Sequence, residues 1–160
     1  MKDLKYLVKK YWYSAAILLL FLIAVFLRVY RLENLPDVLH IDEAGLGYNA
    51  WCLAHYGTDR YLNVRPFYPQ NFYGGQSPLY TYLLALLIRT VGQGNLSLTL
   101  LKIPAVLASL LLFFVGTKSI RLVFDDQKWS IAAAFLLAVC PYYIMSARFA
   151  LDCNLMLCCS

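Results

Sequence analysis

Residues 11–27, "YWYSAAILLLFLIAVFL", carry no charge and lie between Lys10 and Arg28. A helix of about 20 apolar residues crosses a hydrocarbon core of about 30 Å, a length this run reaches once Val29 and Tyr30 are included. Inside lipid the backbone must satisfy its own polar groups, so the run is predicted to be a helix. A cleaved signal peptide is the competing reading, because the N-terminal tail is basic. The following "RVYRLENLP" lacks the small-residue cleavage pattern, which favours a retained signal anchor.

Three further apolar segments follow. Residues 78–91, "PLYTYLLALLIRTV", are short and interrupted by Arg89, as in an interfacial or re-entrant helix. Pro78 suits a first helical turn, and Gly92 and Gly94 end the segment. Residues 98–118 form a credible span, with Lys102 able to snorkel and Pro104 near the start. Residues 129–147 are uncharged, and Pro141 should kink or fray their last third. Spans are therefore predicted at 11–30, 98–118 and 129–147.

Charge sets the orientation. Lys2, Lys5, Lys9 and Lys10 place the N-terminus in the cytoplasm, and Lys118, Arg121 and Lys128 do the same for the loop between the last two spans. Residues 31–97 hold four Arg and no Lys, and read as the outer side. These assignments agree only if residues 78–91 do not cross. The predicted fold is an all-α, multi-pass plasma-membrane protein with an extracytoplasmic first loop, 31–97, bearing surface-lying helices over 42–56 and 78–91.

Composition agrees: 61% of residues are hydrophobic and 14% charged, against about a quarter charged in a soluble domain. No basic patch is interleaved with base-stacking aromatics, so nucleic acid is set aside. The five cysteines form no CxxC pair and no Cys/His ligand set, and read as small apolar fillers.

Two stretches hold candidate chemistry. In "HIDEAGLGYNAW", residues 40–51, Asp42 and Glu43 open a helix that Gly57 should end. They read either as a solvated helix start or as catalytic or metal-binding groups, since carboxylates beside a bilayer are costly unless used. Adjacent helical side chains diverge, so at most one is a central base. In "SARFALDCN", residues 146–154, Arg148 and Asp152 are four apart. They either pair across one turn or bind a phosphate and a hard cation, respectively. His40 and His55 lack metal-ligand partners and read as interface residues. "YGGQSPLY", residues 73–80, is a turn and helix start without the Lys and Ser/Thr of a phosphate loop. "NVRPFYPQNFY", residues 63–73, reads as a docked extramembrane loop rich in rings.

In order, the basic tail and first span, "IDEAGLGYNAWCLAHYG", "GGQSPLYTYLLALL", two spans around a basic loop and "SARFALDCN" resemble the N-terminal part of a GT-C-fold membrane glycosyltransferase. The branch resembled uses dolichyl- or polyprenyl-phosphate sugars and includes protein O-mannosyltransferases and aminoarabinose transferases. The resemblance runs from about Tyr11 to Asn154, and the acidic pair is its most specific element. It implies that Asp42 is the catalytic acid-base residue, with Glu43 beside it. It also implies that Asp152 is a second-loop acid and that Arg148 binds the lipid phosphate. A magnesium or manganese ion held by Asp42 or Asp152 is the implied cofactor. The implied partners are a polyprenyl-phosphate-linked sugar, membrane lipid and an acceptor glycan, lipid or protein. Many relatives carry a Lys-Pro-Pro-Leu-Tyr-like stretch where this chain has Gln76-Ser77-Pro78-Leu79-Tyr80. Family members also have more spans than the three counted here, so the chain is expected to be a fragment that is inactive alone. The alternative is a small non-catalytic membrane scaffold or assembly subunit, distinguished by whether the reading frame resumes downstream with further apolar segments.

Overall fold

The computed structural model describes residues 2–71 and 74–151, with side chains from residue 11 onward. The described residues are mostly helical: α1 (Lys2–Val29), α2 (Ile41–Tyr56), α3 (Pro78–Thr90), α4 (Leu98–Phe124), α5 (Gln127–Val139) and α6 (Pro141–Ser146). A two-stranded antiparallel pair, β1 (Gln70–Asn71) and β2 (Gly74–Gly75), lies between α2 and α3 in sequence. Two helices are long and apolar enough to cross a membrane, Tyr11–Val29 with mean hydropathy 2.2 and Leu98–Phe124 with 2.3. That is compatible with an all-α membrane protein.

The apolar run 129–147, predicted as one span, is divided. Helix α5 covers 13 residues, about 20 Å at 1.5 Å per residue, and ends at Cys140 before Pro141. Proline supplies no N–H to the carbonyl four residues back, so the break follows from the sequence.

The chain forms two compact units, residues 1–30 with 110–145 and residues 31–109 with 146–160. In the first, α1 packs on α5 around Ala24, Phe113, Ala134 and Ala138. The small alanines let the helices approach closely, as is common between membrane helices. Arg28, which bounds the first apolar run, is only 1% exposed. Its Nη2 donates to the Leu137 carbonyl at 2.7 Å, and its Nη1 to the carbonyls of Ala138 and Ala24, each at 3.2 Å. Leu137 is the residue whose carbonyl Pro141 leaves without a helical donor. The arginine repairs the gap the proline makes.

In the second unit, α2 packs on α3. The core joins Leu46, Ala50 and Leu53 of α2, Tyr80, Leu84 and Ile88 of α3, and Leu100, Leu101 and Ala105 of α4. On α2, Leu46, Ala50, Leu53 and Ala54 are buried, while Ala44, Tyr48 and His55 are exposed. Helix α2 ends at Gly57 in the left-handed conformation, φ 70°, where a side chain would be strained. Helix α4 starts at Ser97, whose hydroxyl accepts the Leu100 N–H at 3.1 Å, a side-chain N-cap.

Candidate functional site

The first turn of α2 separates the two acidic side chains. His40 caps the helix: its Nδ1 accepts the Asp42 N–H at 3.2 Å, and its own N–H donates to Glu43 Oε2 at 3.0 Å. This is a reciprocal capping box, with histidine in the place usually taken by serine or threonine. Glu43 is wholly buried, whereas the Asp42 side chain is 56% exposed. Rotation by about 100° per residue sends the two carboxylates to opposite environments.

Glu43 is an anchor. Its Oε1 accepts the Ala150 N–H, so both carboxylate oxygens are engaged by backbone donors. Lys102 is also buried and donates from Nζ to the Leu32 carbonyl at 3.0 Å. Arg148, likewise buried, donates from Nη1 to the Leu35 carbonyl at 3.3 Å. Tyr80 is buried nearby and donates to the Leu101 carbonyl at 2.8 Å. Burial foremost, with the Glu43 charge adding to it, pushes the Tyr80 hydroxyl above its ordinary pKa, so it stays a donor. Glu43, Lys102 and Arg148 are thus all buried, and each is hydrogen-bonded to the backbone, which offsets part of the cost of taking a charged group out of water.

Asp42 faces outward from the same turn. Its carboxylate lies 3.4 Å from His40 Nδ1. The Asp42 carbonyl accepts from Gln76 Nε2 at 3.3 Å, which ties the helix start to the chain entering α3.

A polar network holds the loop between α2 and α3. Asn49 is fully buried; its Nδ2 donates to the Gln70 carbonyl and to Gln76 Oε1, both at 2.9 Å, and its Oδ1 accepts the Arg60 N–H at 3.1 Å. Asp59 accepts the N–H groups of Tyr61 and Asn63 and the Asn63 amide, each at 2.9 Å. Burial would raise its pKa, but hydrogen bonds from the Asn63 side chain and from the backbone of Asn63, Tyr61 and Gln70 outweigh it and hold it below the ordinary value. Arg60 Nη1 donates to Asn71 Oδ1 at 2.7 Å. Gly45 lets Asn71 approach, because a Cβ there would overlap the Asn71 amide.

A cavity of about 280 Å³ opens beside this first turn, lined by Glu43, Gly47, Tyr48, Trp51, Leu98 and Leu101 among others. Apart from Glu43 and Ser97 its wall is apolar or aromatic.

The structure thus buries Glu43 against the backbone of Ala150, two residues from the buried Arg148, and leaves the Asp42 side chain exposed. Asp152 lies outside the described residues. Residues 147–150 are not helical, so a pairing of Arg148 across a helical turn has no helix to rest on. Among the described residues no three His, Cys, Asp or Glu side chains form a metal-ligand group. A magnesium ion keeps several waters and takes one or two carboxylates plus substrate phosphates, so Asp42, with its side chain 56% exposed, is the described carboxylate of the pair that could hold one. Lys102 and the Asn49–Asp59–Gln76 network were not singled out as functional from sequence; a lysine inside an apolar span and an asparagine inside an apolar helix were the available signals. No protein-family model, curated protein or solved structure matches the chain.

Proposed function

We propose that the chain contributes the acceptor-activating carboxylate of a GT-C-like membrane glycosyltransferase using a polyprenyl-phosphate sugar at the outer membrane face. The observation that carries the reading is the division of the acidic pair: Asp42 exposed on a rigid helix start, Glu43 buried beneath it as its anchor. A catalytic carboxylate needs access to substrate and a fixed position, and the pair supplies both.

Asp42 takes the proton from the acceptor hydroxyl as that oxygen forms a bond to the sugar's anomeric carbon. The bond from that carbon to the lipid phosphate breaks on the opposite face, inverting the centre without a covalent enzyme intermediate. Glu43 acts as a positioning residue. Arg148, buried on the Leu35 carbonyl, fits support of the Glu43 cluster better than direct phosphate contact. Gln76, where many members of the resembled family have lysine, fits the role of bracing the Asp42 backbone. The apolar slot beside the turn suits a prenyl chain.

A photoreactive polyprenyl-phosphate-sugar analogue, added to membranes containing the chain, tests the reading. Labelling that polyprenyl phosphate competes away, and polyprenol does not, is expected. Asp42→Asn should keep the labelling and lower any sugar transfer by about 10²-fold or more. Labelling no stronger than with a polyprenol probe would sink the proposal.

A further inference from the structure

A second cavity, of about 610 Å³, lies where α2 ends against α3. It is lined by Leu53, His55, Tyr56, Gly57, Val64, Arg65, Tyr82, Ala85, Leu86 and Arg89, and so by two guanidinium groups and no carboxylate. Arg89 is partly committed: Nε donates to the Ala54 carbonyl at 2.6 Å and Nη2 to the Leu53 carbonyl at 3.2 Å. Those bonds cap the C-terminal carbonyls of α2, where a cation offsets the helix dipole. Its Nη1 is left for another acceptor.

Arg65 has no such commitment. Its backbone N–H donates to the Gly57 carbonyl at 2.9 Å, and its φ of 42° is in the left-handed region. Among the described residues no hydrogen bond, ion pair or ring contact engages its guanidinium. A lone arginine of this kind is ordinarily a solvated surface group. Arg65 and Arg89 differ from that case in lining one partly apolar cavity with no acid in its wall, so an anion entering it meets two guanidinium groups and no like charge.

We propose that this cavity binds a phosphate group carried on a partly apolar body. Arginine offers paired N–H donors that match phosphate oxygens, and two guanidinium charges balance the charge of about −1.5 to −2 on a phosphate monoester. Leu53, Val64, Ala85 and Leu86 give the apolar wall, and the rings of Tyr56 and Tyr82 bound it. A soluble phosphorylated metabolite and a phospholipid headgroup both present this chemistry. The inference does not depend on sugar transfer, since neither arginine belongs to the Asp42 turn.

The test uses the full chain in nanodiscs of zwitterionic lipid. One arm titrates glycerol 1-phosphate by calorimetry, with glycerol as the control. The other counts phosphatidic acid retained by the chain in native mass spectrometry, with phosphatidylcholine as the control. Saturable phosphate-dependent binding is expected in at least one arm, and the arm that responds identifies the source. Arg65→Ala should weaken it by about tenfold or more without changing the far-ultraviolet circular dichroism, because that guanidinium supports no other contact. Binding in neither arm, or equal binding by wild type and Arg65→Ala, would overturn the proposal.

Discussion

The Glu43 carboxylate accepts the backbone N–H of Ala150, 107 residues further along the chain. With the His40 N–H on its other oxygen, this one side chain pins the start of α2 to the segment that follows α6. Glu43→Ala leaves two backbone donors, the N–H groups of His40 and Ala150, unpartnered. A loss of about 1–3 kcal/mol for each is expected, read as a lower melting temperature in detergent. Asp42→Asn, on the exposed side of the same turn, should stay within about 0.5 kcal/mol of wild type. Equal effects at the two positions would contradict the division of roles.

Asp59 should make the loop between α2 and α3 sensitive to acid. Its folded pKa lies below the ordinary carboxylate value, so its contribution is present above the unfolded pKa and fades as pH falls through the folded one. Amide exchange at Tyr61 and Asn63 should therefore accelerate, relative to the intrinsic rate, as the pH drops below the carboxylate range. Asp59→Asn should show the faster exchange already at neutral pH and lose the pH dependence.

Gly45→Ala should destabilise the second unit although it improves helix propensity by up to about 1 kcal/mol. The new Cβ would occupy the place of the Asn71 amide, pushing Asn71 off Arg60. A net loss of about 1–3 kcal/mol is expected from overpacking. Gly74→Ala, with nothing within 4 Å of the new Cβ, is the matched control and should be near neutral in a thermal melt.

Arg28 and Pro141 should behave as a coupled pair. Arg28→Met leaves the Leu137 and Ala138 carbonyls without the arginine, at about 1–3 kcal/mol for each buried acceptor. Adding Pro141→Ala restores an N–H four residues after Leu137, so the double variant should recover part of the loss. A double-mutant cycle of melting temperatures measures this, and strict additivity would refute the coupling.

Orientation is open to direct labelling. In a cysteine-free background, Asp125→Cys should react with a membrane-impermeant maleimide only after the cells are permeabilised, because the basic loop between α4 and α5 is predicted to be cytoplasmic. Labelling of intact cells would reverse the assignment.

Much of the local structure was legible. The uncharged run 11–27 falls inside α1, which starts nine residues earlier at Lys2, while Pro78 opens α3 and Gly57 ends α2 as expected, because each acts through backbone chemistry that needs no distant partner. The division of Asp42 from Glu43 was legible only as a divergence, since helical rotation separates neighbours without saying which one is covered. The break at Cys140 was stronger than the predicted kink. The carbonyl freed by Pro141 found a partner in Arg28, and that stabilises an ended helix as well as a bent one. Lys102 read as a snorkelling side chain because an apolar run gives no sign of a buried acid at Glu43.

The sequence by itself determined the apolar helical segments and such ends as Pro78 and Gly57, through hydropathy and the conformational limits of glycine and proline. Tertiary structure alone decided which charges are buried. A buried ion depends on donors and counter-charges far away in sequence, and Ala150 reaches Glu43 only after the chain has folded. That contact, rather than any local pattern, leaves Asp42 as the exposed carboxylate of the pair.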